Sequence, residues 1–188
     1  MKRPLKLELK LDTRAVSQEL QAYIEELVKL SGKLMLEIDI ERDADKGIEQ
    51  QRPYVEVCLE DGTSTGLAFH GVPGGHELTS FMLGLYNASG PGQPLDEETH
   101  KAILAIDRDV NIKVLATLSC TMCPEAVVSA QHIAALNEHV RADVYDISHF
   151  PELRLHYNVM SVPCIVIDDG KTVSFGKKNI NQMLELLQ

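Results

Sequence analysis

A chain of 188 residues, 44% of them apolar, is long enough for one large core or two small ones. Its formal net charge of −10, with no Lys/Arg cluster standing out, excludes a polyanion such as nucleic acid as partner. The first residues carry no apolar core of a signal peptide, and no later run of about 18 apolar residues would span a membrane. Four cysteines are too few for a secreted disulfide scaffold of this length, which points to a reducing cytoplasm.

Leu5, Leu7, Leu9 and Leu11 alternate with charged residues, the period of a strand with one buried face. Asp12 or Thr13 is placed to cap the helix that follows, with Val16, Leu20, Ile24, Leu27 and Val28 as its apolar stripe and Ser31-Gly32 as its stop. Leu34 to Ile40 alternates again. After a polar segment, Pro53 to Leu59 reads as a third strand, Glu60-Asp61-Gly62 as a turn, and Gly66 to His70 as a fourth strand. Helical spacing resumes at Leu78, Phe81, Met82 and Leu85.

Ala88 to Pro94 is the clearest linker signal, which divides the chain into a half over 1–88, a linker and connecting helix over 89–107, and a half over 108–188. Asp96 is placed to cap the connecting helix. The second half repeats the pattern of the first: strand Ile112 to Leu118, helix Pro124 to Asn137, strand Ala142 to Ile147, and a short helix near Pro151. A strand Ser161 to Ile167, a turn at Asp168-Asp169-Gly170, a strand near Thr172 and a final helix from Asn179 complete it. Arg52-Pro53-Tyr54-Val55 answers Val162-Pro163-Cys164-Ile165. Where the second half has Cys120 and Cys123, the first has Asp12-Thr13-Arg14-Ala15, so only the second half is equipped for thiol chemistry.

Cys120 and Cys123 stand where an apolar strand gives way to a helix. Residues three apart across a first helical turn face the same way, so two sulfurs there close a small disulfide ring. Unpaired N–H groups at the helix start favour a thiolate at Cys120, the expected nucleophile. Cys123, less accessible, is the expected resolving thiol. Thr121 and Met122 between them would shape the contact surface. The same spacing supplies half of a zinc site, which leaves a non-catalytic adaptor with metal at an oligomer contact as an alternative. A complete site needs two more ligands, whereas Cys58 and Cys164 stand alone and read as buried small apolar residues; no metal ligand set is assigned. All seven histidines read as surface or hydrogen-bonded residues.

A strand, a CxxC opening a helix and a later Val-Pro before a buried strand form the layout of the thioredoxin fold. The fold class expected is therefore α/β, two tandem thioredoxin-like (glutaredoxin-like) halves with mixed sheets flanked by helices, only the second redox-active. With the tandem arrangement, Ser119-Cys120-Thr121-Met122-Cys123-Pro124-Glu125-Ala126-Val127 and Gly75-His76-Glu77-Leu78-Thr79-Ser80 resemble the N-terminal domain of the flavoprotein component of bacterial alkyl hydroperoxide reductase. The resemblance implies an electron shuttle that takes reducing equivalents from an FAD- and NADH-binding flavoprotein body and passes them to a peroxiredoxin. It implies a cis bond before Pro163, with Val162 and Pro163 holding a partner's backbone, and Glu77 as an acid/base reaching toward the thiols. No dinucleotide fingerprint occurs, so FAD and NADH are expected on a partner body rather than on this chain. A stand-alone tandem-thioredoxin protein disulfide oxidoreductase is the nearest alternative.

Overall fold

A computed structural model describes residues 1–188. The first half runs β1 (Leu5–Leu11), α1 (Ala15–Lys29), β2 (Leu34–Ile40), β3 (Tyr54–Leu59), β4 (Ser64–His70) and α2 (Glu77–Ser89). A connecting helix α3 (Glu97–Leu104) follows. The second half runs β5 (Val110–Ala116), α4 (Cys123–Leu136), β6 (Val140–Asp146), α5 (Pro151–His156), β7 (Cys164–Ile167), β8 (Thr172–Phe175) and α6 (Ile180–Glu185).

All eight strands form one sheet in the order β2-β1-β3-β4-β6-β5-β7-β8. Each half has the same internal pairing: β1 parallel to β2 and antiparallel to β3, as β5 is parallel to β6 and antiparallel to β7. The halves join where β4 lies parallel to β6, from Leu67 opposite Ala142 to His70 opposite Tyr145.

Strand alternation sorts side chains cleanly between the two faces. Leu5, Leu7, Leu9 and Leu11 of β1, Val55 and Val57 of β3, Leu67 and Phe69 of β4, Val114 of β5 and Val144 of β6 all enter one core cluster under α1, α2 and α4. Each such side chain contributes about 1.5–3 kcal/mol by leaving water. The opposite face is polar except for a small cluster of Leu115, Tyr145, Phe150 and Val166 near α5. On that face His70, fully buried, places Nε2 2.9 Å from Asp143 Oδ1, and Arg141 bridges Asp143 at 3.0 Å and Glu56 at 2.6 Å. Burial alone would raise the Asp143 carboxyl, but the hydrogen bond and charge of His70 and the charge of Arg141 hold it well below the usual range. The His70–Asp143 and Arg141–Glu56 bonds cross the join between halves and reinforce it.

Several boundaries differ from the sequence reading. β5 ends at Ala116 rather than Leu118, because the Leu118 carbonyl turns away to accept from the His76 amide at 3.0 Å. The N-cap of α1 is Arg14 and makes no side-chain capping bond, while Asp12 instead accepts from the Arg14 amide and the Ser17 hydroxyl. α2 runs through Ala88 and Ser89, so the irregular stretch starts at Gly90. Asp96 caps α3 as expected, accepting from the Thr99 amide.

Candidate active site at the Cys120–Cys123 disulfide

Cys120 and Cys123 form a disulfide with their Cα atoms 5.5 Å apart, within the ordinary range for such bonds. α4 begins at Cys123, so Cys120 lies three residues ahead of the helix, in the turn leaving β5, where its amide donates to the Thr117 carbonyl. This corrects the expectation that Cys120 occupies the first helical turn. Pro124 sits in that turn instead, where its missing N–H costs nothing.

The two sulfurs differ in access. Cys123 is fully buried, whereas Cys120 is half-buried and flanked by exposed Thr121 and by Met122, exposed by 50%. Cys120 Sγ lies 3.9 Å from the carbonyl oxygen of Val162. The Val162–Pro163 bond is cis, as the resemblance implied, with Val162 half-buried and Pro163 buried. Thus Cys120, Thr121, Met122 and Val162 form one surface and Pro163 supports it from below. Met160, two residues ahead of Val162, is exposed by 75% and was not singled out in the sequence. Cys58 and Cys164 are both free and buried, and burial pushes their thiols up to about 12 and about 11. No cluster of three His, Cys, Asp or Glu side chains converges anywhere in the chain.

Glu77 reaches this end of the molecule from the other half. The loop before it is fixed by the Tyr23 hydroxyl donating to the Pro73 carbonyl and by the His76 amide on Leu118. Gly75, at φ +54°, lies so close that a Cβ there would stand 2.6 Å from the Leu118 oxygen. Because β4, β6 and β5 are parallel, the helices that follow β4 and β5 run parallel too. Two turns along each, Gly84 of α2 meets Gln131 of α4, so their first residues, Glu77 and Cys123, lie level with one another. Glu77 is fully buried, and neither carboxylate oxygen has a hydrogen-bond partner. Burial pushes its carboxyl up to about 7, opposed only by the nearby Ser80 hydroxyl. The helix start favours the carboxylate by about 0.3–1 kcal/mol, too little to offset that desolvation.

A thioredoxin-domain family matches residues 110–188, the half that carries the disulfide. The crystal structure of the NTD_N/C domain of alkylhydroperoxide reductase AhpF from Enterococcus faecalis (V583) superposes with a TM-score of 0.91. It is 35% identical and the match covers 100% of this chain and 92% of that one. The chain belongs to the family of AhpF N-terminal domains. The alkyl hydroperoxide reductase AhpF of Xanthomonas campestris pv. phaseoli is 29% identical over 185 residues, 98% of this chain. The chain spans about a third of the length of the curated relatives it matches, 33% for that protein. A protein disulfide oxidoreductase from Aeropyrum pernix K1 superposes with a TM-score of 0.81 at 22% identity, covering 98% of this chain and 84% of that one, and shows the fold alone. Family membership and the disulfide together support a thiol-disulfide redox role.

Proposed function

We propose that this chain is a dithiol-disulfide electron-transfer domain, taking reducing equivalents from the dithiol of a flavoprotein body that holds FAD and NADH and passing them to a peroxiredoxin disulfide. The observation that carries the reading is the Cys120–Cys123 disulfide with one accessible and one buried sulfur, set against the Val162 carbonyl. Residues 108–188 supply the redox pair, residues 1–88 the supporting half, and residues 89–107 the connection between them.

In the donating direction, the Cys120 thiolate attacks the acceptor disulfide and releases one acceptor thiolate. Thr121, Met122, Val162 and Pro163 form the surface against which the acceptor backbone lies. The Cys123 thiol gives its proton to the Glu77 carboxylate and, as thiolate, attacks Cys120 Sγ. The second acceptor sulfur leaves as thiolate and takes a proton from water. The acceptor gains two electrons and the domain loses two. A carboxyl that titrates near neutrality is matched to this exchange, since it takes and releases protons with little driving force against it.

Redox titration against glutathione and dithiothreitol buffers, read by alkylation and mass mapping, tests the reading. Cys120 and Cys123 alone should interconvert, with a midpoint within about −180 to −270 mV. The reduced domain should then reduce a peroxiredoxin disulfide catalytically when supplied with an NADH-reduced flavoprotein dithiol. A pair that stays reduced throughout, or that is shielded from alkylation until a chelator is added, overturns the proposal in favour of a metal-bridged adaptor.

A further inference from the structure

Four buried side-chain oxygens in this protein lack a hydrogen-bond partner, and all four lie on the seam between α2 and α4: both carboxylate oxygens of Glu77, Ser80 Oγ and Gln131 Oε1. Glu77, Ser80 and Gly84 follow one another at helical spacing on the face of α2 that meets α4, and Gln131 closes the seam against Gly84. Buried polar atoms are ordinarily paired, so a concentration of unpaired ones at one place beside a redox disulfide calls for a chemical explanation.

A cleft of about 410 Å³ lies beside the seam, between α2, α4 and the start of α6, and is lined by Ser80, Pro124, Ser129, His132, Pro94 and Ile180. Of the three residues that carry the four unpaired oxygens, only Ser80, itself just 1% exposed, also lines this cleft. Ser80 thus stands one helical turn from Glu77 and in the wall of the cleft.

We propose that the Ser80 hydroxyl is the proton path between the buried Glu77 carboxyl and solvent in the α2/α4 cleft. The inference rests on Glu77 acting as the base for Cys123. Once Glu77 holds the Cys123 proton, its O–H donates to Ser80 Oγ while the Ser80 proton passes to water in the cleft. Rotation of the hydroxyl restores the starting arrangement, with Glu77 again a carboxylate and no net change at Ser80. Without such a path the fully buried carboxyl would keep its proton after each oxidation. Ser80 acts through Glu77 and is a positioning residue, not a catalytic one.

Few other titratable groups face the seam. His132 of α4 is held below its ordinary range by burial and by His100. Glu125 of α4 is engaged by Lys177 at 3.8 Å at the surface. Cys120 and Cys123 are the reacting groups themselves, His76 is exposed, and the Tyr23 hydroxyl is committed to the Pro73 carbonyl. No charge contributes to the Glu77 shift, only burial and Ser80.

The test uses the full chain carrying a Cys120–glutathione mixed disulfide, prepared at about pH 5 and jumped to about pH 8, with its decay followed by acid quench and mass spectrometry. The unmodified chain should decay without a lag, and the decay rate measured across pH should inflect where Glu77 titrates. Ser80→Ala should move that inflection upward and introduce a lag after the jump, and Ser80→Thr should restore both. Ser80→Gly removes the same hydroxyl if alanine at this packed position prevents folding. A Ser80→Ala chain with an unmoved inflection and no lag overturns the path. A moved inflection without a lag also overturns it, leaving Ser80 as a fixed donor to the carboxylate. Glu77→Gln separates the two readings: if it leaves the inflection in place, Glu77 is not the base, and the proposed function loses its proton step whatever Ser80 does.

Discussion

The guanidinium of Arg14 donates a hydrogen bond to the carbonyl oxygen of Arg52, the residue whose bond to Pro53 is cis. Cys120 faces the carbonyl of Val162, ahead of the cis-Pro163, in the same relation. The thiol-free half thus keeps the backbone frame of a redox site and fills it with a cation. Arg14 also donates to the His149 carbonyl at 2.9 Å and pairs with Asp12, tying the frame to the second half. Arg14→Met should remove these bonds at a cost of about 1–3 kcal/mol, because two part-buried carbonyls lose their donor. Urea denaturation measures the loss. The disulfide midpoint should stay put, and a midpoint that moves with Arg14 would mean the filled frame still communicates with the thiols.

Glu77 makes a signed prediction about pH. Its folded carboxyl sits at about 7 against an ordinary 4.5, so between those values the folded state holds a proton that the unfolded state has released. Stability therefore falls as pH rises through this window, by at most about 3 kcal/mol. Glu77→Gln should flatten the slope and leave the oxidised domain more stable than the unmodified one at pH 8. Denaturation curves at several pH values read this directly, and parallel slopes for the two proteins would contradict a buried, uncompensated carboxyl.

The burial of the four cysteines predicts an order of modification. In the reduced protein, iodoacetamide should label Cys120 first. Cys123, buried beneath it, and Cys58 and Cys164, which combine burial with raised thiols, should resist by at least about tenfold. Time-resolved peptide mapping gives the order. Early labelling of Cys164 would show that the strand behind Pro163 opens on reduction.

Gly75 is a close approach between the loop preceding Glu77 and the turn preceding Cys120. Gly75→Ala demands a positive φ of an alanine and drives its Cβ into the Leu118 carbonyl, so a loss of about 1–3 kcal/mol is expected. The same change should slow decay of the Cys120 mixed disulfide, because Glu77 is displaced with the loop. Stability and decay rate measured on one preparation check both effects, and an alanine variant as stable as the original would contradict the close approach.

Much of this architecture is legible in the chain because the relevant signals are local. The leucines of β1 alternate without interruption, the CxxC and the Val162–Pro163 pair are contiguous motifs, and Asp96 precedes its helix as a cap should. The end of β5 was not legible, since Leu118 is as apolar as the strand before it. What stops the strand is an amide more than forty residues earlier in the chain, at His76. The role of Arg14 was hidden for the same reason, its acceptors lying on Arg52 and His149. Ser80 and Gln131 gave only a faint sign, polar residues on the inner faces of α2 and α4, and only the packing of one helix on the other reveals that they meet.

The β4–β6 pairing has a mechanical consequence. A sheet whose backbone hydrogen bonds run unbroken from β2 to β8 contains no hinge, and the Arg141–Glu56 ion pair across the join stiffens it further. Glu77 and Cys123 belong to different halves, so any internal bending would pull carboxyl and thiol apart; the continuous sheet opposes it. Any displacement of the disulfide relative to a bound protein therefore carries both halves together as one stiff body.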